Sequence, residues 1–160
     1  MGIGPIVIGY DGSPASRRAI DECGALFTRH EALVVVVWEA GLGFSIVENV
    51  PEIAAVPLDI RAALDTEKAL YEGAQQLAHQ GAQLAEKAGL EAEGLVVADD
   101  ITIAETILRV ANERDAQAIA LGTDGIGLTD VLIGGTTRAV IQHSTRPVVV
   151  VREPKRESRT

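Results

Sequence analysis

The sequence predicts an α/β fold: a Rossmann-like, five-stranded parallel sheet in the order 3-2-1-4-5 with helices on both faces. Three observations lead to it. Short β-branched runs alternate with longer segments whose apolar residues recur at helical spacing, in the order β-α-β-α-β-α-β-α-β. The residues are 47% apolar but only 3% aromatic, so the core must be built from Val, Ile, Leu and Ala, as in a sheet covered on both faces. Finally, glycines cluster at Gly122, Gly125 and Gly127 and again at Gly134-Gly135-Thr136-Thr137, just beyond the predicted fourth strand. Open sheets of this kind bind ligands beyond their C-terminal strand ends.

The elements follow in order. Pro5 to Tyr10 is an apolar run that stops at Asp11-Gly12-Ser13-Pro14, a turn, a helix cap and a proline suited to the first helical position. The helix it opens runs to about Arg29, with Ala15, Ala19, Ile20, Cys23, Leu26 and Phe27 on one face. Leu33 to Trp38 is nearly pure valine and reads as a strand buried on both sides. From 39 to 58 the pattern dissolves into glycines and prolines, a flexible excursion. A long helix then spans about Asp59 to Ala88 and stops at Gly89, and Leu90 to Ala98 forms the third strand with Gly94 as a candidate bulge. Asp99-Asp100-Ile101-Thr102 caps a helix through Arg114, with its stripe at Ile103, Ile107, Val110 and Ala111. Gln117 to Leu121 is the fourth strand, Gly135 and Thr136 open a helix ending near Ser144, and Val148 to Val151 is the fifth strand after Arg146-Pro147. The charged tail, 153–160, is expected to fray.

Length and charge narrow the function classes. The 160 residues fit a single domain, 1–160, with no internal repeat. With 14 basic and 23 acidic side chains the formal charge is −9, which disfavours a nucleic acid or an anionic membrane as partner. A phosphate ligand would have to be held by local backbone donors. One cysteine cannot form an internal disulfide, no run is long enough to span a membrane and no basic-then-apolar leader is present, so the cytoplasm is the expected location.

The glycine pattern reads as a split phosphate cradle. Glycines let peptide N–H groups approach an anion, and a helix N-terminus adds free donors and partial positive charge. In the order 3-2-1-4-5 the tips of the first and fourth strands, Asp11 and Gly122, converge on one crevice. Other chemistries fit less well. There is no Gly-x-x-x-x-Gly-Lys-Ser/Thr loop and no Gly-x-Gly-x-x-Gly after the first strand. A phospho-accepting receiver would need a lysine near the last strand, and 148–152 has none. His30, His79 and His143 have no Cys or carboxylate at ligand spacing, and Ser13 lacks a nucleophile elbow.

Ile6-Val-Ile-Gly-Tyr-Asp-Gly-Ser13, together with Gly122, two residues, Gly125, nine residues and Gly135-Thr136, resembles the universal stress protein family of the ATP-binding type, with its adenine nucleotide alpha-hydrolase-like fold. The resemblance covers roughly Ile6 to Arg152. It implies that Gly122, Gly125, Gly135, Thr136 and the adjoining Thr137 hold phosphates and ribose. It also implies that Asp11 meets the nucleoside or a phosphate-bound Mg²⁺, that Val37 offers its backbone to the adenine edge and that Gly9 and Tyr10 wall the base. ATP, with Mg²⁺ as a possible companion, is the implied ligand of a stress-response or regulatory protein. No catalysis beyond slow ATP hydrolysis is expected. A homodimer through Val148, Val149, Val150 and Val151 is the implied assembly, and it would cover an exposed sheet edge.

Departures and alternatives remain. Asp11 is equally suited to a turn, Thr136 to a plain N-cap, and Asp99 and Asp100 to caps facing water. Trp38 suits core packing or a stacking platform. Asp124 and Asp130 put carboxylates in the glycine loop, and the third strand ends in Asp99-Asp100 where relatives often have glycine and proline. A carboxylate near a triphosphate lowers affinity unless it points outward or a metal intervenes. Two other uses of the same fold are therefore a nucleotide-free dimeric scaffold and a binder of AMP or cyclic AMP.

Overall fold

A computed structural model of the chain describes residues 3–40, 60–99, 101–123 and 135–152. The excursion from residue 41 on, the tail, Asp100, Asp124, Gly125, Gly127, Asp130 and Gly134 lie outside the described residues. In chain order the elements are β1 (Ile6–Gly9), α1 (Pro14–Leu26), β2 (Glu31–Trp38), α2 (Ile60–Lys87), β3 (Glu91–Ala98), α3 (Ile103–Glu113), β4 (Ala118–Thr123), α4 (Gly135–His143) and β5 (Val148–Arg152). The sheet order is β3-β2-β1-β4-β5 and every pairing is parallel, as the sequence predicts. The chain builds outward from β1 through β2 to β3, then crosses to β4 on the other side of β1. The reversal opens a crevice at the tips of β1 and β4.

The central strands are apolar on both sides because both sides are covered. Ile6, Ile8, Val34 and Val36 pack with Ala19, Ile20 and Cys23 of α1 and Ala78 and Ala85 of α2. Val7, Leu33, Val35, Ile119 and Leu121 pack on the opposite face with Ala104, Ile107 and Val110 of α3 and Val140 of α4. Ile6, Val7 and Ile8 have no exposed surface, so β1 allows no polar alternation.

Three local details differ from the sequence reading. α1 ends at Leu26, before Arg29. Phe27 closes the helix by donating its N–H to Cys23 O, and Arg29 takes the left-handed turn itself at φ 64°. Gly94 is not a bulge, since it pairs with Val34 inside an unbroken ladder from Glu31↔Glu91 to Trp38↔Ala98. A side chain there would strike the backbone of Ala78 in α2, so glycine serves helix-on-sheet approach. β4 runs on through Gly122, paired with Val151, to Thr123, so Gly122 is a strand residue and not a loop residue. A Cβ on Gly122 would collide with the Ala15 carbonyl in the first turn of α1.

Candidate functional site

The tip of β1 turns into α1 through a network of short polar side chains. The Asp11 carboxylate accepts from the Ser13 N–H at 2.9 Å and from the Ser16 hydroxyl at 2.8 Å, an Asx turn in which Ser13 becomes the helix cap. The Ser13 hydroxyl accepts from the Ser16 N–H at 3.2 Å, and Pro14 takes the first helical position. Partial burial would raise the Asp11 pKa, but hydrogen bonds from the side chain and backbone of Ser13 and from the Ser16 hydroxyl outweigh it. The carboxyl is held below its ordinary range and stays ionised.

β2 supplies backbone groups at Val37 that exchange no hydrogen bond with β1 among the described residues. Tyr10 donates its N–H to Val35 O on one side of β2, and Asp99 donates to Trp38 O on the other, so odd-numbered residues of β2 direct their backbone groups toward β1. β1 ends at Gly9, paired with Val35. The N–H and C=O of Val37, two residues on, therefore face the space where β1 has already turned away.

The strand tips enclose a cavity of about 480 Å³. Gly9, Tyr10 and Asp11 come from the end of β1 and its turn, Val37 from β2, Gly122 from β4, and Thr136 and Thr137 from the first turn of α4. Gly135 starts α4, is exposed and lies outside the cavity wall, while Gly125 is outside the described residues. Tyr10 is only 4% exposed, and its ring lies over Gly81 of α2. Thr137 is buried and Thr136 half-buried. Asp99 is half-buried behind Trp38, and the cap of α3 is Thr102, whose hydroxyl oxygen accepts from the Glu105 N–H at 3.1 Å.

A second wall has no counterpart in the sequence reading. α2 contributes Leu70, Gly73, Ala74 and Leu77, and α3 contributes Ile103 and Ile107. At 28 residues α2 is about 42 Å long, against about 26 Å for the eight-residue strands it covers, so its first turns project past their tips. That length was the available signal. Trp38, at the end of β2, sets its indole edge-to-face against Tyr71 of α2 with ring centroids 5.1 Å apart, so it packs the rim.

The N–H groups of the first turn of α4 and the Thr136 hydroxyl can receive an anion, and the Val37 peptide can receive the edge of a planar base. Asp11 and Glu39 are the carboxylates among the described lining residues, and no histidine lines the cavity there. Among the described residues, no three His, Cys, Asp or Glu side chains gather as a metal site. His30 Nδ1 is 3.1 Å from Phe27 O, and His79 Nε2 is 3.2 Å from Gln83 Nε2, both away from the cavity. No described helix is long and apolar enough to cross a membrane.

The model of the universal stress protein family matches residues 2–152. No curated protein sequence matches the chain. Among solved structures, the hypothetical protein MJ0577 aligns with a TM-score of 0.71 at 18% identity, covering 98% of this chain and 100% of its own. A universal stress protein from Archaeoglobus fulgidus in complex with dAMP aligns with a TM-score of 0.65 at 19% identity, covering 94% and 99%. A universal stress protein in complex with cAMP aligns with a TM-score of 0.62 at 18% identity, covering 95% and 98%. At these identities the likeness speaks for the fold.

Proposed function

The chain belongs to the universal stress protein family, and from that premise we propose that its cavity binds an adenine nucleotide and that binding, without catalysis, is its regulatory role. One observation carries the reading. Asp11, Val37, Gly122 and Thr136, far apart in sequence, line a single cavity at the sheet's reversal point. In this reading the phosphates meet the first turn of α4, and the base edge meets the Val37 peptide. ATP is the proposed ligand. Any Mg²⁺ would arrive with the phosphates, since the described lining offers only Asp11 and Glu39 as carboxylates and Mg²⁺ needs few protein ligands when phosphates supply the rest.

Support for binding over turnover comes from what surrounds Asp11. Its Oδ1 already accepts from Ser13 and Ser16, which suits a turn-holder better than a base that activates water. The dAMP and cAMP complexes of two structural neighbours favour a second reading, in which a monophosphate is the better ligand. Among the described residues β5 pairs with β4 alone, and its Val148, Val149 and Val150 are half-exposed, which supports the proposal of a homodimer joined along this edge.

Isothermal titration with ATP, AMP and cyclic AMP, each with and without Mg²⁺, tests the function. Saturable heat from ATP supports the first reading, and tighter binding of a monophosphate supports the second. No heat from any of them at millimolar concentration leaves a nucleotide-free scaffold.

A further inference from the structure

A glycine inside a helix lowers stability relative to alanine, so it invites the question of what needs the missing side chain. Gly24 and Gly81 answer it, because a Cβ at either would strike Ala88 or Tyr10. Gly73, midway along α2, does not. Apart from its chain neighbours and the adjacent backbone of α2, no described atom lies within 4 Å of the place its Cβ would occupy. Its backbone is not left-handed either, since Gly12 and Gly89 are the described glycines with positive φ. Nothing described within the chain requires glycine at position 73. Gly73 does, however, line the cavity.

The cavity wall is chemically divided. Asp11, Ser13, Ser16, Thr136 and Thr137 bring polar groups from the tips of β1 and α4, whereas the α2 side is built of Leu70, Ala74 and Leu77 with Val36 and Trp38 beside them, and Glu39 follows at its edge. A second observation lies on that apolar side. The Nε1 of Trp38 is buried with no hydrogen-bond partner among the described residues, a donor that an incoming acceptor would satisfy. A nucleotide divides in the same way, into a charged phosphate end and a flat base with apolar faces and acceptor nitrogens on its rim.

We propose that the base of the bound nucleotide lies against the backbone of α2 at Gly73, and that the missing side chain there sets the room for it. The inference rests on the nucleotide reading of the cavity and goes further by making α2 a wall of the base site. It also agrees with the Val37 peptide, which stands at the end of the strand α2 crosses.

Gly73→Ala and Gly73→Leu test it, and Trp38, the chain's single tryptophan, provides a fluorescence readout of occupancy. Both substitutions add a better helix former in open space, so the melting temperature is expected to stay level or rise. Affinity is expected to fall, modestly for Ala and by roughly tenfold or more for Leu. Because the base is displaced, the fold-loss is expected to be equal for adenosine, AMP and ATP. Wild-type affinity in Gly73→Leu, or a loss that grows with the number of phosphates, overturns the proposal while leaving nucleotide binding intact. A wild-type protein that binds none of the three sinks the nucleotide reading and this inference with it.

Discussion

Gly122 of β4 lies directly beneath the Ala15 carbonyl of α1, so close that the strand leaves no room for a side chain. The first turn of α1 carries Ser16, whose hydroxyl holds Asp11, and Gly122 and Asp11 both line the cavity. Strand and helix therefore set the cavity mouth jointly.

Gly122→Ala is expected to destabilise the fold by about 1–3 kcal/mol, the usual range for overpacking against backbone that cannot rotate away. Urea unfolding followed through Trp38 measures it. Nucleotide affinity is expected to fall as well, because relief of the clash must move the Asp11 turn. An alanine variant as stable as wild type would contradict the close approach.

Asp11 gives the protein an acid-sensitive element. Its folded pKa lies below the ordinary value of 3.8, so the unfolded chain takes up the proton first as pH falls. The stabilisation is complete above about pH 4 and declines as pH drops through the lowered folded value. Asp11→Asn removes this titration. Unfolding free energies measured at steps from pH 6 to pH 2.5 are expected to fall less steeply at the acid end for the variant than for wild type. Identical slopes would mean that Ser13 and Ser16 do not favour the charged form.

Arg146 fastens the start of β5 to the turn between α3 and β4. Its guanidinium donates to Asn112 Oδ1 at 3.3 Å, to Asp115 Oδ1 at 3.1 Å and to the Ala116 carbonyl. The Arg146 side chain is 22% exposed but that of Asp115 is 94% exposed, so the ion pair itself contributes little and the bond to the backbone carbonyl matters more. Arg146→Ala is expected to lower stability by about 1–2 kcal/mol, and Asp115→Asn by less than about 0.5 kcal/mol. Equal losses from the two variants would reverse that assignment.

Cys23 is fully buried, and burial, reinforced by the charge of Glu22, pushes its pKa up to about 11. An aromatic disulfide reagent at pH 8 is expected to label it only through unfolding, with the labelled fraction tracking the urea transition. Fast labelling in buffer alone would place the thiol elsewhere.

The strands, helices and strand order were legible in the sequence because each rests on local pattern: β-branched runs for β1, β2 and β5, helical stripes for α1 and α3, and alternation that permits few topologies. The convergence of Asp11 and Gly122 followed from the order. What escaped depends on distant backbone. Gly94 and Gly122 are glycines because Ala78 and Ala15 pass over them, and local spacing reads such residues as a bulge or a loop. The α2 wall escaped for a similar reason, since the place where Leu70 and Gly73 fall depends on how far the helix outruns the strands.

The four-residue β1 is the central seam of the sheet, with β2 on one flank and β4 on the other. During synthesis β2 can pair with it early and β3 with β2, but its other flank stays bare until Ala118 and the residues after it emerge. The nascent chain thus carries a half-built sheet with an open hydrogen-bonding edge through most of translation, the stage at which it is most exposed to mispairing and most in need of a chaperone's cover.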